Sequence, residues 1–329
     1  MGEAVYLEAY LAPLAPWLSR PDVTDILINR PGEVWIETGL GVRPEPAPEL
    51  TETALLRLAR QIAAASHQGV NREHPLLSAT LPDGARVQVA APPATRGGLV
   101  MAVRKHVISN LSVEELAERG LFSRPVAGSA PETDKQLQDL LATGDGARFL
   151  KAAVKARKTV VISGGTASGK TTLLNALLKE VGREERLIAI EDAAEVQLDH
   201  PNAVGLIAVR GDLGEARVDA DALVAAALRL RPDRILLGEL RGAEAFAFLR
   251  AVNSGHPGSL TTVHADSPEA ALDQIALLAL TSGLDLDFSR ARSYVAASVD
   301  VVVQLARLDG VRRVQDIRFH PRSTALPMA

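Results

Sequence analysis

The segment Gly164-Gly165-Thr166-Ala167-Ser168-Gly169-Lys170-Thr171 decides the fold of this chain. It fits the phosphate-binding pattern G-x-x-x-x-G-K-[ST]. An apolar run at 160–163 precedes it and predicts a buried strand, and a helical run at 172–179 follows it. Because a strand, a glycine-rich turn and a helix in this order direct backbone N–H groups to one point, the segment predicts a site for the phosphates of a nucleotide.

The residue types in this loop have separate chemical roles. We expect the Lys170 ammonium to reach the β- and γ-phosphates of ATP and the Thr171 hydroxyl to bind Mg²⁺. The predicted nucleotide-binding residues of the loop are Gly164, Gly165, Thr166, Ala167, Ser168, Gly169, Lys170, Thr171 and Thr172.

The composition limits the classes of protein that need to be considered. A length of 329 residues favours two domains. A net charge of −4 and an aromatic share of 3% disfavour general nucleic-acid binding and stacking on single strands. The chain has no cysteine, hence no disulfide and no thiolate zinc site, which fits a reducing, cytoplasmic setting. We expect neither a signal peptide nor a membrane span, because no basic N-terminal region and no run of about 18 apolar residues is present.

The first segment of the chain, residues 1–106, predicts a small α+β domain. Hairpin signals occur at Pro31-Gly32 and at Pro82-Asp83-Gly84. Between them, Thr51 is a candidate cap for a helix with apolar residues at helical spacing.

The pattern changes twice beyond this segment. Residues 107–132 contain one short predicted helix, Val113 to Arg119, followed by the Ser/Pro/Gly/Ala composition of a linker. Residues 133–329 alternate strands with helices, which predicts a second domain built on a parallel sheet. A hairpin at Asp309-Gly310 is expected near its end.

Four predicted strands of the second domain end in polar residues. The first runs into the phosphate loop, and the other three run into Glu191, Glu239 and His264. In open α/β sheets, ligands bind at the carboxyl ends of the strands. We therefore expect these four strand ends to meet at one nucleotide site.

Two of these carboxylates are candidates for the chemistry of hydrolysis. Glu239 is expected in the shell of Mg²⁺, directly or through water, and we favour Glu191 as the group that polarises the attacking water. Glu195 is a weaker member of the same acidic cluster. The sequence leaves open which of Glu191 and Glu239 activates the water. The alternative for Glu239 is an exposed carboxylate at a strand end, and for Glu191 with Asp192 it is a solvated acidic edge.

His256 and His264 allow three interpretations. Two metal ligands are disfavoured, because no carboxylate or cysteine nearby completes a ligand set. Packed or surface histidines are the second interpretation. We favour the third, in which an imidazole senses the γ-phosphate, because the position at a strand end suits it.

Arginines are the remaining candidates, since an arginine supplied by a neighbouring subunit is a common way to neutralise the charge that develops during hydrolysis. Arg86 and Arg104 lie on predicted strands of the first domain, where an ordinary surface position is the alternative. Four more arginines flank the strand before Glu239 and are candidates to face a partner subunit: Arg229, Arg231, Arg234 and Arg241.

At this point the chain resembles a known family, the secretion ATPases of the type II/type IV secretion and pilus superfamily, and in particular the VirB-type traffic ATPases of type IV secretion. Four boxes match in order: the Walker A loop Gly164–Thr172, the Asp box Ile190–Glu195, the Walker B segment Arg231–Gly242 and the His box Ser254–Ala265. Residues 28–34 and 81–88 match as well, so the likeness covers nearly the whole chain. The eight-residue spacing of the two histidines is that of the type IV secretion and tight-adherence pilus branches.

The resemblance implies a RecA-like P-loop NTPase domain with a parallel sheet, an α/β fold, preceded by the smaller α+β domain. It also implies a homohexameric ring with ATP between the N- and C-terminal domains. Arg86 and Arg104 match the family arginines that reach the γ-phosphate. The chain departs from the family pattern in two respects: it lacks the tetracysteine of type II secretion ATPases, and it has Ala193-Ala194 in the Asp box.

The preferred hypothesis is a hexameric ATPase that powers pilus biogenesis, substrate translocation or conjugation. Its partners would be the inner-membrane and other ATPase components of a type IV secretion system, with no sequence-specific nucleic acid. The ring would sit peripherally on the cytoplasmic face of the inner membrane of a Gram-negative bacterium. The alternatives are a tight-adherence or type IV pilus assembly ATPase, a nucleotide-gated assembly scaffold, a RecA-type nucleic-acid motor and, least favoured, a small-molecule kinase. The translocated substrate, the docking partners and the path of the linker, swapped or unswapped between neighbours, stay open.

Overall fold

The computed structural model describes residues 2–106, 112–118, 120–122, 129–209, 214–283 and 285–321. These residues form two sheets, an antiparallel one in the N-terminal part and a mostly parallel one in the C-terminal part. The predicted two-domain α/β class is therefore confirmed. None of the described helices combines the length and apolar character that crossing a membrane requires.

The N-terminal sheet has six strands, each antiparallel to its neighbours, in the order β3-β2-β1-β6-β5-β4. Its strands are β1 (Val23–Ile28), β2 (Gly32–Thr38), β3 (Gly41–Ala47), β4 (Leu76–Thr80), β5 (Arg86–Ala90) and β6 (Val100–Arg104). Its helices are α1 (Gly2–Leu11), α2 (Ala15–Leu18) and α3 (Glu52–Ala65), with a 3₁₀ turn between α1 and α2. Both predicted hairpins form, and the Thr51 hydroxyl caps α3 by accepting the N–H of Ala54 at 3.2 Å.

Strand β3 is an addition to the predicted elements. It contains Pro44 and Pro46, residues that cannot donate to a ladder and that argue against a central strand. The structure places β3 at the edge of the sheet, where it pairs with β2 alone. Proline is tolerated there, because one side of an edge strand needs no partner.

The C-terminal sheet has seven strands in the order β13-β12-β7-β11-β10-β8-β9. These are β7 (Val160–Gly164), β8 (Leu187–Glu191), β9 (Ala203–Ile207), β10 (Arg234–Leu237), β11 (Leu260–Val263), β12 (Val301–Leu308) and β13 (Val311–Phe319). The described helices after β6 are α4 (Val113–Glu118), α5 (Ser129–Ala142), α6 (Gly146–Lys155), α7 (Lys170–Leu178), α8 (Ala220–Arg229), α9 (Glu244–Asn253), α10 (Pro268–Leu280) and α11 (Phe288–Ser298). All strand pairs are parallel except the predicted β12–β13 hairpin.

The order of these strands brings the chemically important ends together. Strands β7, β11, β10 and β8 are consecutive neighbours, and every residue in them is buried. Buried parallel strands with near-continuous apolar runs are typical of sheets covered by helices on both faces. Their carboxyl ends lie side by side along one edge of the sheet.

The two sheets meet along a direct contact. Residues Ala94 to Arg96, in the connection from β5 to β6, run antiparallel to β9, with Thr95 opposite Leu206. Backbone hydrogen bonds of 2.9 Å join the Ile207 N–H to the Ala94 carbonyl and the Arg96 N–H to the Gly205 carbonyl. The N-terminal domain thereby adds a short piece of chain to the free edge of the C-terminal sheet.

Part of the predicted linker lies outside the described residues, namely 107–111, 119 and 123–128. The short helix predicted there is present as α4. The predicted boundary at residue 133 falls within α5, and the C-terminal residues 323–329 lie outside the described residues.

Candidate nucleotide site

A cleft of about 590 Å³ opens at the carboxyl ends of β7, β8, β10 and β11. We call it the P-loop cleft, because residues 166–172 form one wall. Its ionisable lining residues are Lys170, Glu191, Asp192, Glu195, Glu239, Arg241, His264 and Arg312. Side chains predicted at four separate strand ends thus surround one space.

Backbone conformation explains one of the loop glycines, and close packing explains another. Gly169 is the N-cap of α7 and has a φ of +100°, a left-handed conformation that favours glycine. At Gly164, an added Cβ would lie 2.7 Å from the carbonyl oxygen of Leu305 on β12. A larger residue at either position would disturb the turn from β7 into α7.

Lys170 lies across the loop that it follows. Its Nζ donates to the carbonyl oxygens of Gly164 at 2.8 Å and Gly165 at 3.2 Å, and it lies 3.3 Å from Nδ1 of His264. Burial lowers the pKa of the Lys170 ammonium, and the nearby Glu239 charge opposes that change. The ammonium therefore lies over the N-terminus of α7. An anion bound there would be stabilised both by the charge of Lys170 and by the positive end of the helix dipole.

The first turn of α7 also carries a hydroxyl that faces a carboxylate. Thr171 Oγ1 donates to Glu195 Oε2 at 3.1 Å. One turn further on, the Asn175 amide accepts the Gln197 N–H at 2.8 Å and donates to the Glu195 carbonyl at 3.3 Å. The Asp-box segment is thereby docked on α7, beside the phosphate loop.

Glu239 forms the centre of a polar chain at the end of β10. Its Oε1 lies 2.6 Å from Nε2 of His264, and its Oε2 accepts from Nε of Arg241 at 2.6 Å. Arg241 extends the chain to Asp192, at 3.3 Å. Since His264 also contacts Lys170, one continuous set of polar contacts runs from the phosphate loop to Arg241.

Glu191, at the end of β8, is more deeply enclosed. Its side chain is 3% exposed, against 15% for that of Glu239. Its Oε1 accepts the backbone N–H groups of Glu195 at 3.0 Å and Val196 at 2.8 Å. Gly238, directly after β10, makes room for it, because a Cβ there would lie 2.9 Å from Cγ of Glu191.

Sequence reasoning did not select Arg96, which pairs with the Glu191 carboxylate. Its Nη1 donates to the Val196 carbonyl at 2.7 Å, and burial lowers the pKa of its guanidinium. Arg96 belongs to the N-terminal domain, so its contact with Glu191 depends on how the two domains meet. Arg312 on β13 was also missed; its Nε donates to the Ala167 carbonyl of the loop at 3.2 Å. No local pattern around either arginine marks it.

Three predicted site residues lie away from the P-loop cleft. His256 precedes β11 while His264 follows it, so the two rings lie at opposite ends of that strand. The His256 Nδ1 is 3.0 Å from the Ala251 carbonyl on α9. Arg86 and Arg104 line a second cleft, of about 600 Å³, between the N-terminal sheet and α8.

We call this second space the arginine cleft, after Arg86, Arg104, Arg229 and Arg231 on its walls. Arg104 Nε is held by Asp25 Oδ1 at 2.9 Å, and Arg229 Nη1 donates to Ser78 Oγ at 2.8 Å. Arg231 pairs with Glu37 and, at 2.8 Å, with Asp233.

Another of the four flanking arginines, Arg234, is buried inside the fold. Its side chain is 1% exposed and bonds both carboxylate oxygens of Glu185, at 2.8 and 2.6 Å. It therefore supports the start of β10 from inside the fold, and of the four flanking arginines only Arg241 lines the P-loop cleft.

The chain is similar to known proteins over nearly its whole length. The family model "Type II/IV secretion system protein" matches residues 8–322. The chain is 40% identical over 327 residues to the type IV secretion system protein VirB11 of Bartonella quintana (strain Toulouse), covering 94% of this chain and 92% of that protein. It is 40% identical over 321 residues to the type IV secretion system protein PtlH of Bordetella pertussis, covering 95% of each chain.

A solved structure agrees with the sequence comparisons. The crystal structure of the VirB11 ATPase from the Brucella suis type IV secretion system, in complex with sulphate, superposes with a TM-score of 0.91 at 36% identity. The match covers 97% of this chain and 96% of that one. The likeness therefore includes both domains and their arrangement.

Proposed function

The chain belongs to the type II/IV secretion system protein family, and from that membership we propose that it is the hexameric ATPase motor of a type IV secretion system. It is an ATPase of the VirB11 type. The proposal adds that hydrolysis drives pilus biogenesis, substrate translocation or conjugation through motion of the two domains. The observation that carries it is the meeting of the phosphate loop, two strand-end carboxylates and His264 around one cleft.

Binding of ATP follows from the loop. The phosphates would lie at the N-terminus of α7, with the Lys170 ammonium exchanging its two carbonyl contacts for phosphate oxygens. His264 lies within reach of both Lys170 and Glu239, which supports a role for its ring in sensing the γ-phosphate.

The oxygen-rich end of the cleft fits Mg²⁺, which prefers hydroxyl, carboxylate and water oxygens. Thr171 would hold the ion directly and Glu239 through water, and Glu195 already lies beside the Thr171 hydroxyl. When bound, the ion would neutralise charge on the phosphate oxygens. The remaining chemistry belongs to the side chains.

For the activation of water we favour Glu191 and keep Glu239 as the alternative. One oxygen of the Glu191 carboxylate is held by two backbone N–H groups, which limits the orientations open to this side chain before substrate arrives. Glu239 is shared between His264 and Arg241, which suits the binding of a hydrated cation.

The positions of Arg86 and Arg104 support a site shared between subunits. Both lie in the arginine cleft, so neither lines the P-loop cleft of its own chain. In a ring, the arginine cleft of one subunit would face the nucleotide of the next, and its arginines would contact the γ-phosphate there. The path of the linker, swapped or unswapped between neighbouring subunits, decides whether the N- and C-terminal domains that pack together come from one chain or from two.

Several further features of the proposal come from the family. The domains would span residues 1–106 and 133–329, with 107–132 as the linker. The ring would dock on the cytoplasmic face of the inner membrane, beside the membrane and ATPase components of the secretion system. A tight-adherence or type IV pilus assembly ATPase would share this site, so the identity of the docking partner separates these functions.

The experiment is to measure the mass of the purified protein in solution with and without ATP and Mg²⁺, together with its ATPase rate at each concentration. We expect a six-subunit species whose specific activity rises with assembly. An active monomer at all concentrations would contradict the ring. A ring whose turnover can be removed without loss of secretion would favour the scaffold hypothesis.

A further inference from the structure

Arg96 belongs to the N-terminal domain and reaches the wall of the P-loop cleft within the same chain. Its guanidinium pairs with the Glu191 carboxylate, and its Nη1 donates to the Val196 carbonyl at 2.7 Å. The two side chains are 20% and 3% exposed. A carboxylate so deeply enclosed is costly to keep ionised without a paired cation.

The backbone holds Arg96 in this position. Its N–H donates to the Gly205 carbonyl on β9 at 2.9 Å, and the neighbouring Thr95 bridges to Leu206. The Thr95 hydroxyl closes the turn that follows by donating to the carbonyls of Gly97 at 3.1 Å and Gly98 at 3.0 Å. The contact is therefore part of the docking between the domains.

The side chain of Arg96 also needs the space that Gly205 leaves. A Cβ at position 205 would lie 2.4 Å from Cδ and 2.8 Å from Nε of Arg96. The stem crosses β9 at this glycine and delivers the guanidinium to Glu191 at the end of the adjacent strand, β8. Any shift of the N-terminal domain along this edge would move the partner of Glu191.

We propose that Arg96 is a positioning residue that acts through Glu191, so that the rate of hydrolysis depends on the docking of the two domains of one chain. This inference rests on the proposed role of Glu191 in activating water. Two backbone N–H groups fix one carboxylate oxygen, and Arg96 fixes the other. Without Arg96, the carboxylate can rotate away from the water that it is to activate.

The test compares the kinetics of two variants. Arg96→Met keeps an apolar stem over Gly205 and removes the charge. We expect kcat to fall about 10- to 100-fold, as misplacement of a reacting group does, with KM for ATP changed by less than about 2-fold. Arg72→Ala is the matched control, because Arg72 and Glu215 form an interdomain ion pair with side chains 64% and 53% exposed, away from the cleft. We expect its kcat and KM to equal those of the wild type.

Two additional variants keep the test independent of folding defects. Arg96→Lys retains a cation and should recover part of the lost kcat. Gly205→Ala retains the charge but displaces the stem, and should lower kcat in the same manner as Arg96→Met. Normal kcat in either Arg96→Met or Gly205→Ala, or no recovery in Arg96→Lys, would overturn the inference.

A double variant separates this inference from the proposed function. If Arg96 acts through Glu191, then adding Arg96→Met to Glu191→Gln causes no further loss of kcat. Independent, multiplying losses would show a general structural role and overturn the inference. A Glu191→Gln protein with the wild-type rate would instead refute the proposed role of Glu191, whereas a slow Glu191→Gln beside a normal Arg96→Met refutes the positioning role alone.

Discussion

The two clefts of the molecule differ in the charges on their walls. The P-loop cleft mixes Lys170, Arg241 and Arg312 with four carboxylates, whereas none of the described residues that line the arginine cleft carries a carboxylate. Carboxylates can bind a metal ion and accept a hydrogen bond from a water molecule, while guanidinium groups donate hydrogen bonds to phosphate oxygens. Each cleft therefore offers part of what phosphoryl transfer requires, and the proposed ring would bring the two clefts together across a subunit boundary.

The largest effect is expected from removing the lysine of the phosphate loop. Lys170→Ala should lower the ATPase rate by about 10³-fold, because Lys170 is the one charged residue of the loop Gly164–Thr171 that could stabilise the phosphates. Steady-state turnover measures the loss, and the mass in solution shows whether the ring persists. We expect the ring to survive, since among the described residues Lys170 bonds its own loop and His264 alone. Dissociation of the ring would count against a purely catalytic role for Lys170.

The next effect separates the two carboxylates of the same cleft. Glu191→Gln keeps the shape of the side chain and removes the base, so we expect ATP to bind with unchanged affinity while turnover falls by about 10² to 10³-fold. Equilibrium binding of labelled ATP and single-turnover kinetics measure the two properties. Glu239→Gln is the matched variant. If it alone abolishes turnover and Glu191→Gln is normal, Glu239 is the base.

The arginine cleft is tested by mixing variants. Arg86→Ala should lower turnover by about 10- to 100-fold, less than a complete arginine finger, because Arg104 remains beside it. When Arg86→Ala subunits are mixed equally with Lys170→Ala subunits, about a quarter of the sites in a randomly mixed ring regain both groups if the site is shared. The rate of the mixture should therefore exceed that of either variant. A mixture no faster than its components would exclude donation of Arg86 in trans, and Arg104→Ala repeats the test.

Much of this comparison could be predicted from the chain itself. Strand ends are local features, since an apolar run followed by Glu191, Glu239 or His264 predicts both the strand and the chemistry at its end. Parallel strands then bring these ends together, whatever the sequence between them. The hairpins likewise depend on a few adjacent residues, such as Asp309-Gly310.

The features that were missed depend on contacts between distant parts of the chain. Arg96 contacts Glu191 only because residues 94–96 dock on β9, and nothing near Arg96 indicates that β9 is their partner. Arg234 shows the same limit. Its sequence position beside the strand of Glu239 made it a candidate for a partner-facing surface, whereas Glu185 binds it inside the fold. Spacing gives neighbours within an element, but the choice of partner between elements is decided by packing.

The smallest effect concerns the two histidines of the His box, which differ in their place on β11. His264 contacts Lys170 and Glu239, so His264→Ala should reduce kcat about 10-fold or more, as the loss of a positioned polar group does. The His256 ring bonds the Ala251 carbonyl alone among the described residues. His256→Ala should therefore leave KM for ATP within about 2-fold and cost the protein about 1 kcal/mol of unfolding free energy. Turnover and thermal unfolding measured on both variants distinguish the two roles. An increase in KM on His256→Ala, without loss of stability, would mean that His256 reaches a nucleotide, as the sequence analysis favoured. A P-loop cleft in the ring would then include a residue from the opposite end of β11.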